Sequence, residues 1–314
     1  VLIVRTIVRP VLIALSALVT GVVLIGRLPS SWWLIDVASS FRVHAGVAAL
    51  ALLVVALLVR AKVVASLLAI SLVLSAPALV DLIGSDPPRV AADAARLRIG
   101  HLNLQEHPLP LHALLDELRE RHADVFVVLG ARDLDVGPLP KRVERYVFEA
   151  VDPGEQIVII VNRRTIRRLG PTTHAISGSA VGFDVELIAT GDVIHLLAVH
   201  TPSPITPGRA SMRDQRLDEV GEWARDIRGP AAVFGDFNAT PYSAAFARVV
   251  SRGDLTSSLD GRGWQPSWPV ALGRFGIPID HLFFSDELVT VERATGPSFG
   301  SAHRSLWVTL ARAA

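Results

Sequence analysis

Cysteine is missing from all 314 residues, which excludes disulfides, thiolate nucleophiles and cysteine-ligated zinc. A positive field is missing as well. Seven of the 31 basic and three of the 30 acidic residues fall within the first 90 positions, so the remainder carries 24 against 27, a net charge of −3. Proteins that grip nucleic acid without regard to sequence neutralise phosphates with a cationic surface. Nucleic acid is therefore not the expected partner. No internal repeat or low-complexity tract is present.

What the chain has in excess is apolar character: 50 % of its residues are hydrophobic and its mean hydropathy is +0.42, too high for one ordinary soluble fold. Three runs near the start, 11–25, 43–59 and 63–83, are nearly free of charge and approach the ~20 residues a helix needs to cross a bilayer. They predict three transmembrane helices, about 8–26, 43–60 and 63–83, within a membrane region 1–84. Buried core helices are the competing reading, and it is disfavoured because the runs leave no polar face. Arg5 and Arg9, with Arg60 and Lys62, place their ends of the helices in the cytoplasm by the positive-inside rule. The 27–42 loop and everything after residue 83 are then expected outside: a multi-pass protein of the cell membrane with an extracytoplasmic C-terminal domain and the lipid bilayer as partner. Trp32 and Trp33 suit an interfacial belt or loop packing. Because the sequence starts at Val1, part of the native N-terminus is expected to be missing.

Gly84-Ser85-Asp86-Pro87-Pro88-Arg89 ends the third run, giving a linker over 85–95 and a globular domain over 96–314. Strands are predicted at 97–104, 124–129, 146–150, 156–161, 181–188, 193–200, 231–234, 279–284 and 306–310, with helices at 110–121, 209–228 and 243–250. Such a mixture indicates layered α+β or α/β architecture.

The richest stretch is Val233-Phe234-Gly235-Asp236-Phe237-Asn238-Ala239-Thr240-Pro241. In a strand, residues i and i+2 share a face, so Asp236 and Asn238 are predicted to point together from a strand end. A carboxylate beside a neutral amide suits orienting a water nucleophile and stabilising phosphoryl charge. An Asx-rich turn is the alternative for this stretch alone. Other strand ends also carry polar groups: Asn103 in His101-Leu102-Asn103-Leu104-Gln105, His200 before Thr201-Pro202, Asp280-His281 after Pro278-Ile279, and His303 in Ser301-Ala302-His303-Arg304.

In this order and spacing the set resembles the endonuclease/exonuclease/phosphatase superfamily over about residues 95–312, and three preceding membrane helices resemble a bacterial membrane-anchored branch. The resemblance implies an α+β fold, a four-layer α/β/β/α sandwich preceded by a three-helix transmembrane segment. It implies catalytic roles for His200, Asp236, Asn238, Asp280 and His303: Asp280 orienting His303, Asp236 positioning the water, Asn238 holding a phosphoryl oxygen, and His200 meeting the phosphate. Asn103 would lie beside a Mg or Mn ion, with Glu155 near the phosphate. His281 is expected to be structural.

Two positions depart from the pattern. Members normally end the second strand in Leu-Gln-Glu and close with Ser-Asp-His, whereas here Ala131 stands at the glutamate and Ala302 at the aspartate. Methyl groups cannot bind a hard cation, and only Asp133 or Glu106 is near enough in sequence to substitute. A catalytically impaired pseudoenzyme, scaffold or phosphate-ligand binder is expected. The competing expectations are an active metal-dependent phosphodiesterase or phosphatase on phospholipid head groups or other small phosphoesters, and an accessory subunit of a membrane-protein complex.

Overall fold

The structure is a computed structural model and describes residues 7–28, 32–81, 83–84, 90, 94–108, 111–131, 142–143, 145–152, 157–176 and 180–313. The helical region holds α1 (Arg9–Ile25), α2 (Trp33–Ser39), α3 (Arg42–Leu58) and α4 (Lys62–Val80). Three of these stand where the apolar runs place them. The short α2 falls in what the sequence reads as a loop. Among the described residues only α4 is long and apolar enough to cross a membrane by itself; α2 and α3 qualify together as a pair bent by 59°, and α1 is a shorter apolar helix. The expectation of three spanning helices is thus reduced to one unaided candidate. Small residues let α3 and α4 approach closely, since a Cβ on Gly46 would lie 2.9 Å from the Ser75 side chain. Leu58, Val63 and Val73 instead face outward.

The globular part runs β1 (Arg96–Asn103), α5 (Leu111–Glu120), β2 (Val125–Leu129), β3 (Arg142–Val143), β4 (Tyr146–Asp152), β5 (Ile157–Asn162), β6 (Ile166–Ile176), β7 (Ala180–Leu187), β8 (Val193–His200), α6 (Pro207–Asp226), β9 (Ala231–Asp236), α7 (Ala244–Gly253), β10 (Thr256–Ser257), β11 (Asp280–Phe284), β12 (Leu288–Thr295) and β13 (Leu306–Arg312). One sheet has the order β12-β13-β1-β2-β5-β4-β3, the other β10-β11-β9-β8-β7-β6. Their inner faces meet in a core that includes Ile99, Val127, Phe183, Leu196, Phe234 and Leu282. The outer face of the first sheet packs on α5 through Leu114 and Leu118, and that of the second on α6 and α7 through Leu217, Val220 and Val249. This is a two-sheet sandwich with helices outside, as expected. Helix ends follow ordinary capping: the Thr206 hydroxyl accepts from the Arg209 amide with Pro207 in the first turn, and Ser243 caps α7.

The helical region docks on the domain. Arg213 of α6 donates to Asp36 Oδ2 of α2 at 2.7 Å, and the Ala244 amide donates to Asp36 Oδ1 at 3.1 Å. Thr240 bonds Ser40, and the Tyr242 hydroxyl bonds Asp81 beyond α4. The α2 helix and the end of α4 therefore share one end of the helices with the domain, while the Arg60–Lys62 turn lies at the other.

Candidate active site

The strand period builds the site. In β1, β8 and β9 the inward rows Leu97-Ile99, Leu196-Ala198 and Ala232-Phe234 fill the space between the sheets. Past these rows the same face reaches each strand's C-terminal end: Asn103 stands four residues beyond Ile99, with His101 between, and His200 and Asp236 stand two beyond Ala198 and Phe234. Asp280 opens β11 opposite Asp236 across an antiparallel pair, on the row of Leu282 and Phe284. Gly235 permits the convergence: its φ is +142°, and a Cβ there would sit 1.9 Å from the Val199 carbonyl oxygen on β8.

Asp280 is the hub. Its Oδ2 accepts from His303 Nδ1 at 2.9 Å and its Oδ1 from His101 Nε2 at 3.3 Å. His303 Nε2 then faces Asp236 Oδ2 at 3.8 Å. Asp236 Oδ2 also accepts from Asn103 Nδ2 at 2.8 Å, and the same amide group lies 3.3 Å from His200 Nε2. Asp236 Oδ1 accepts from the Asn238 amide at 2.9 Å. Ser301 fixes two members at once, donating to the Asn103 carbonyl and accepting from the His303 amide.

Burial alone would raise the Asp280 carboxyl, but the His303 charge and the hydrogen bonds from both histidines outweigh it and hold the group well below the usual range. Burial likewise opposes charging of His303, yet Asp280 and Asp236 hold its imidazole up at about 9. Burial depresses His200 despite Asp236, leaving it the neutral histidine of the site. Burial raises Asp236 against the pull of His303. His281 is structural, as expected: it donates to the Ala239 carbonyl, and burial pushes it down to about 3.

Asn103, His200, Asp236, Asn238 and His303 line one cavity of about 910 Å³, with Asp280 buried behind His303. Asn238 departs from the strand-face prediction. β9 ends at Asp236, and Asn238 sits at φ +47° with its amide donating to the Thr201 carbonyl. Glu155 and Asp133 lie outside the described residues. Ala131 packs into the apolar cluster under α5, whereas Gly130 lines the cavity, and a Cβ on Gly130 would lie 3.0 Å from Asn103 Oδ1. The positive φ of Gly130 breaks the strand alternation on which the sequence register relied. Ala302 is half-buried away from the cavity wall, its carbonyl accepting from the Val270 amide. Glu106 does line the cavity, tied by its amide to the Gly130 carbonyl. Sequence reasoning overlooked His101, although its i−2 spacing from Asn103 was a usable signal, and Arg213 and Ser301, which had none.

Asp236, Asp280 and His303 can bring one ligand atom each within 4.8 Å. As a cage for a hard divalent cation they fit poorly. Both Asp280 oxygens already accept from histidines, Asp236 is engaged by two asparagines, and the place beside Asn103 Oδ1 belongs to a glycine.

A family model described as Endonuclease/Exonuclease/phosphatase family matches residues 100–303. No curated protein matches the chain. Among solved structures, D. rerio TDP2 complexed with a single-strand DNA product is 16 % identical with a TM-score of 0.57, covering 69 % of this chain and 99 % of that one. A mannosyl-6-phosphatase of Bacteroides thetaiotaomicron VPI-5482 is 14 % identical with a TM-score of 0.53, covering 68 % and 99 %. The human nocturnin catalytic domain is 17 % identical with a TM-score of 0.51, covering 69 % and 95 %. At these identities the likeness is one of fold.

Proposed function

The chain belongs to the endonuclease/exonuclease/phosphatase family, and from that premise we propose a membrane-anchored, extracytoplasmic phosphoester-binding protein in which hydrolysis is slow. Proteins of this family are of phosphoesterase type and generally use divalent metal ions. The observation that carries the slow reading is Gly130, which stands beside Asn103 without a carboxylate. The similar folds include proteins named for DNA and for a sugar phosphate, so fold leaves the substrate open. The net charge of −3 beyond residue 90 favours a small phosphoester over nucleic acid.

The donors available to a phosphoryl group are the His303 imidazolium and the second N–H of Asn238; Asn103 is spent on Asp236 and His200. Asp236 is placed to hold the attacking water, with His303 neutralising charge on the phosphoryl oxygens. A metal supplies several kcal/mol of charge stabilisation in such reactions, which these groups replace in part. Anchoring rests on α4 and the outward apolar faces of α1 and α3, and the docked α2 helix agrees with an outer location for the domain.

A second reading, an active metal-dependent hydrolase, is favoured by Glu106 on the cavity wall. Calorimetric titration of Mg²⁺ and Mn²⁺ into the full chain in detergent separates the two. The first expects dissociation constants of about 1 mM or weaker, tightened roughly tenfold by Gly130→Asp, whose short side chain tolerates positive φ. Micromolar binding that disappears in Glu106→Gln, together with metal-dependent phosphoester hydrolysis, would overturn the first and establish the second.

A further inference from the structure

The cavity is far larger than a phosphate group and is lined by two chemistries. A volume of about 910 Å³ is near the upper end for sites enclosing a drug-sized ligand. On α6, Arg209, Arg213 and Arg216 recur at i, i+4 and i+7 and share one face. The middle one is committed, to Asp36 and to the Asn238 carbonyl. The outer two line the cavity. Arg209 uses one N–H on the Ser203 carbonyl, and Arg216, half-buried, makes no hydrogen bond or ion pair among the described residues. Its charge reaches His200, where it opposes protonation. A cation kept partly out of water without a counter-charge calls for an anion.

The facing wall belongs to the helical region. Trp33 and Val37 lie one turn apart on α2, Phe41 follows, and Ile205, 70 % exposed, lines the same cavity. This apolar wall lies at the end of α1 and α3 where a bilayer surface would be.

We propose that Arg209 and Arg216 form a second anion subsite, and that the ligand is a membrane amphiphile: a phosphoester bearing a second negative group, with its apolar part against Trp33, Val37 and Phe41. The phosphoester meets His303 and Asn238, the second anion meets α6, and the chain leaves along α2 toward the lipid. The position of the wall at the helix ends, beside the outward apolar faces of α1 and α3, favours an acyl or prenyl chain over a base. The inference rests on the phosphoester-binding reading above.

The test is equilibrium binding by the full chain in lipid nanodiscs, using inorganic phosphate, pyrophosphate, farnesyl monophosphate, farnesyl diphosphate and ADP. The second phosphate is expected to tighten binding about tenfold with or without the tail, and the tail about tenfold with or without the second phosphate. Arg216→Gln, which keeps a polar side chain without the charge, removes the first gain; Trp33→Leu with Phe41→Leu reduces the second. Equal affinity for mono- and diphosphates, gains that survive Arg216→Gln, or ADP binding more tightly than farnesyl diphosphate would overturn the inference. Failure of all five probes to bind overturns the phosphoester-binding reading itself, whereas absent turnover with the affinity ratios intact leaves the subsite standing.

Discussion

Replacing Asp280 by asparagine is expected to bring the His303 imidazole from about 9 down to 6.5 or below, and to cut any phosphoester hydrolysis a hundredfold or more. The amide keeps the shape but removes the charge that makes the imidazolium favourable inside the sandwich, where both residues are buried. Stability changes with it. His303 has a folded pKa above its unfolded value, so its contribution is complete below about pH 6.5 and is lost as pH rises through about 9. A shift of that size corresponds to about 3 kcal/mol, counted once for the Asp280–His303 pair because the two groups titrate together. The unsubstituted protein should therefore lose stability between pH 6.5 and 9, and Asp280→Asn should show little of that slope. Histidine NMR titration checks the first statement, and denaturant unfolding at pH 6 and 9.5 checks the second. A His303 that still titrates near 9 in the variant would show that Asp236, not Asp280, governs it.

The site's legibility in the sequence follows from strand periodicity. His200 and Asp236 extend an apolar alternation by two residues, Asp280 precedes one by two, and Asn103 follows His101 on the row of Leu97 and Ile99, so a correct strand assignment brings these residues to one face. Where the backbone leaves the strand, the reading slips. Gly130 and Asn238 both have positive φ, and at Asn238 the side chain leaves the strand face that the alternation predicts. The α2 helix was illegible because seven residues give too little periodicity to see. Its role depends on a contact between Asp36 and Arg213, 177 residues apart, which local pattern cannot report. The same limit applies to the apolar runs. Composition located α1, α3 and α4, but their lengths, 17 residues for α1 and α3 and 19 for α4, come from where the turns interrupt them.

The Asp36–Arg213 pair is where the helical region and the cavity become one object, and breaking it should have the other large effect. Both side chains are almost fully buried, and Arg213 also holds the Asn238 carbonyl at 2.9 Å. Removing one member of a buried pair leaves an uncompensated charge and costs about 3–5 kcal/mol. For Asp36→Ala the lower end is expected, because Asp214 remains beside Arg213; for Arg213→Met the upper end, because among the described residues the Asp36 carboxylate keeps only the Ala244 amide. The double variant Asp36→Leu, Arg213→Met replaces both charges with apolar groups and should recover much of the loss, giving a coupling of about 2 kcal/mol or more. Function should separate the variants differently. Arg213→Met frees the Asn238 carbonyl and weakens phosphate binding directly, while Asp36→Ala releases α2 and weakens only ligands that use the apolar wall. Thermal unfolding in nanodiscs reads the stabilities, and inorganic phosphate against farnesyl monophosphate reads the binding. If Asp36→Ala leaves stability unchanged within about 0.5 kcal/mol, the helical region does not rest on the domain through this pair. The apolar wall of the cavity would then have to be held in place by the other contacts, among them Ser40–Thr240, Asp81–Tyr242 and His44 with the Phe275 carbonyl.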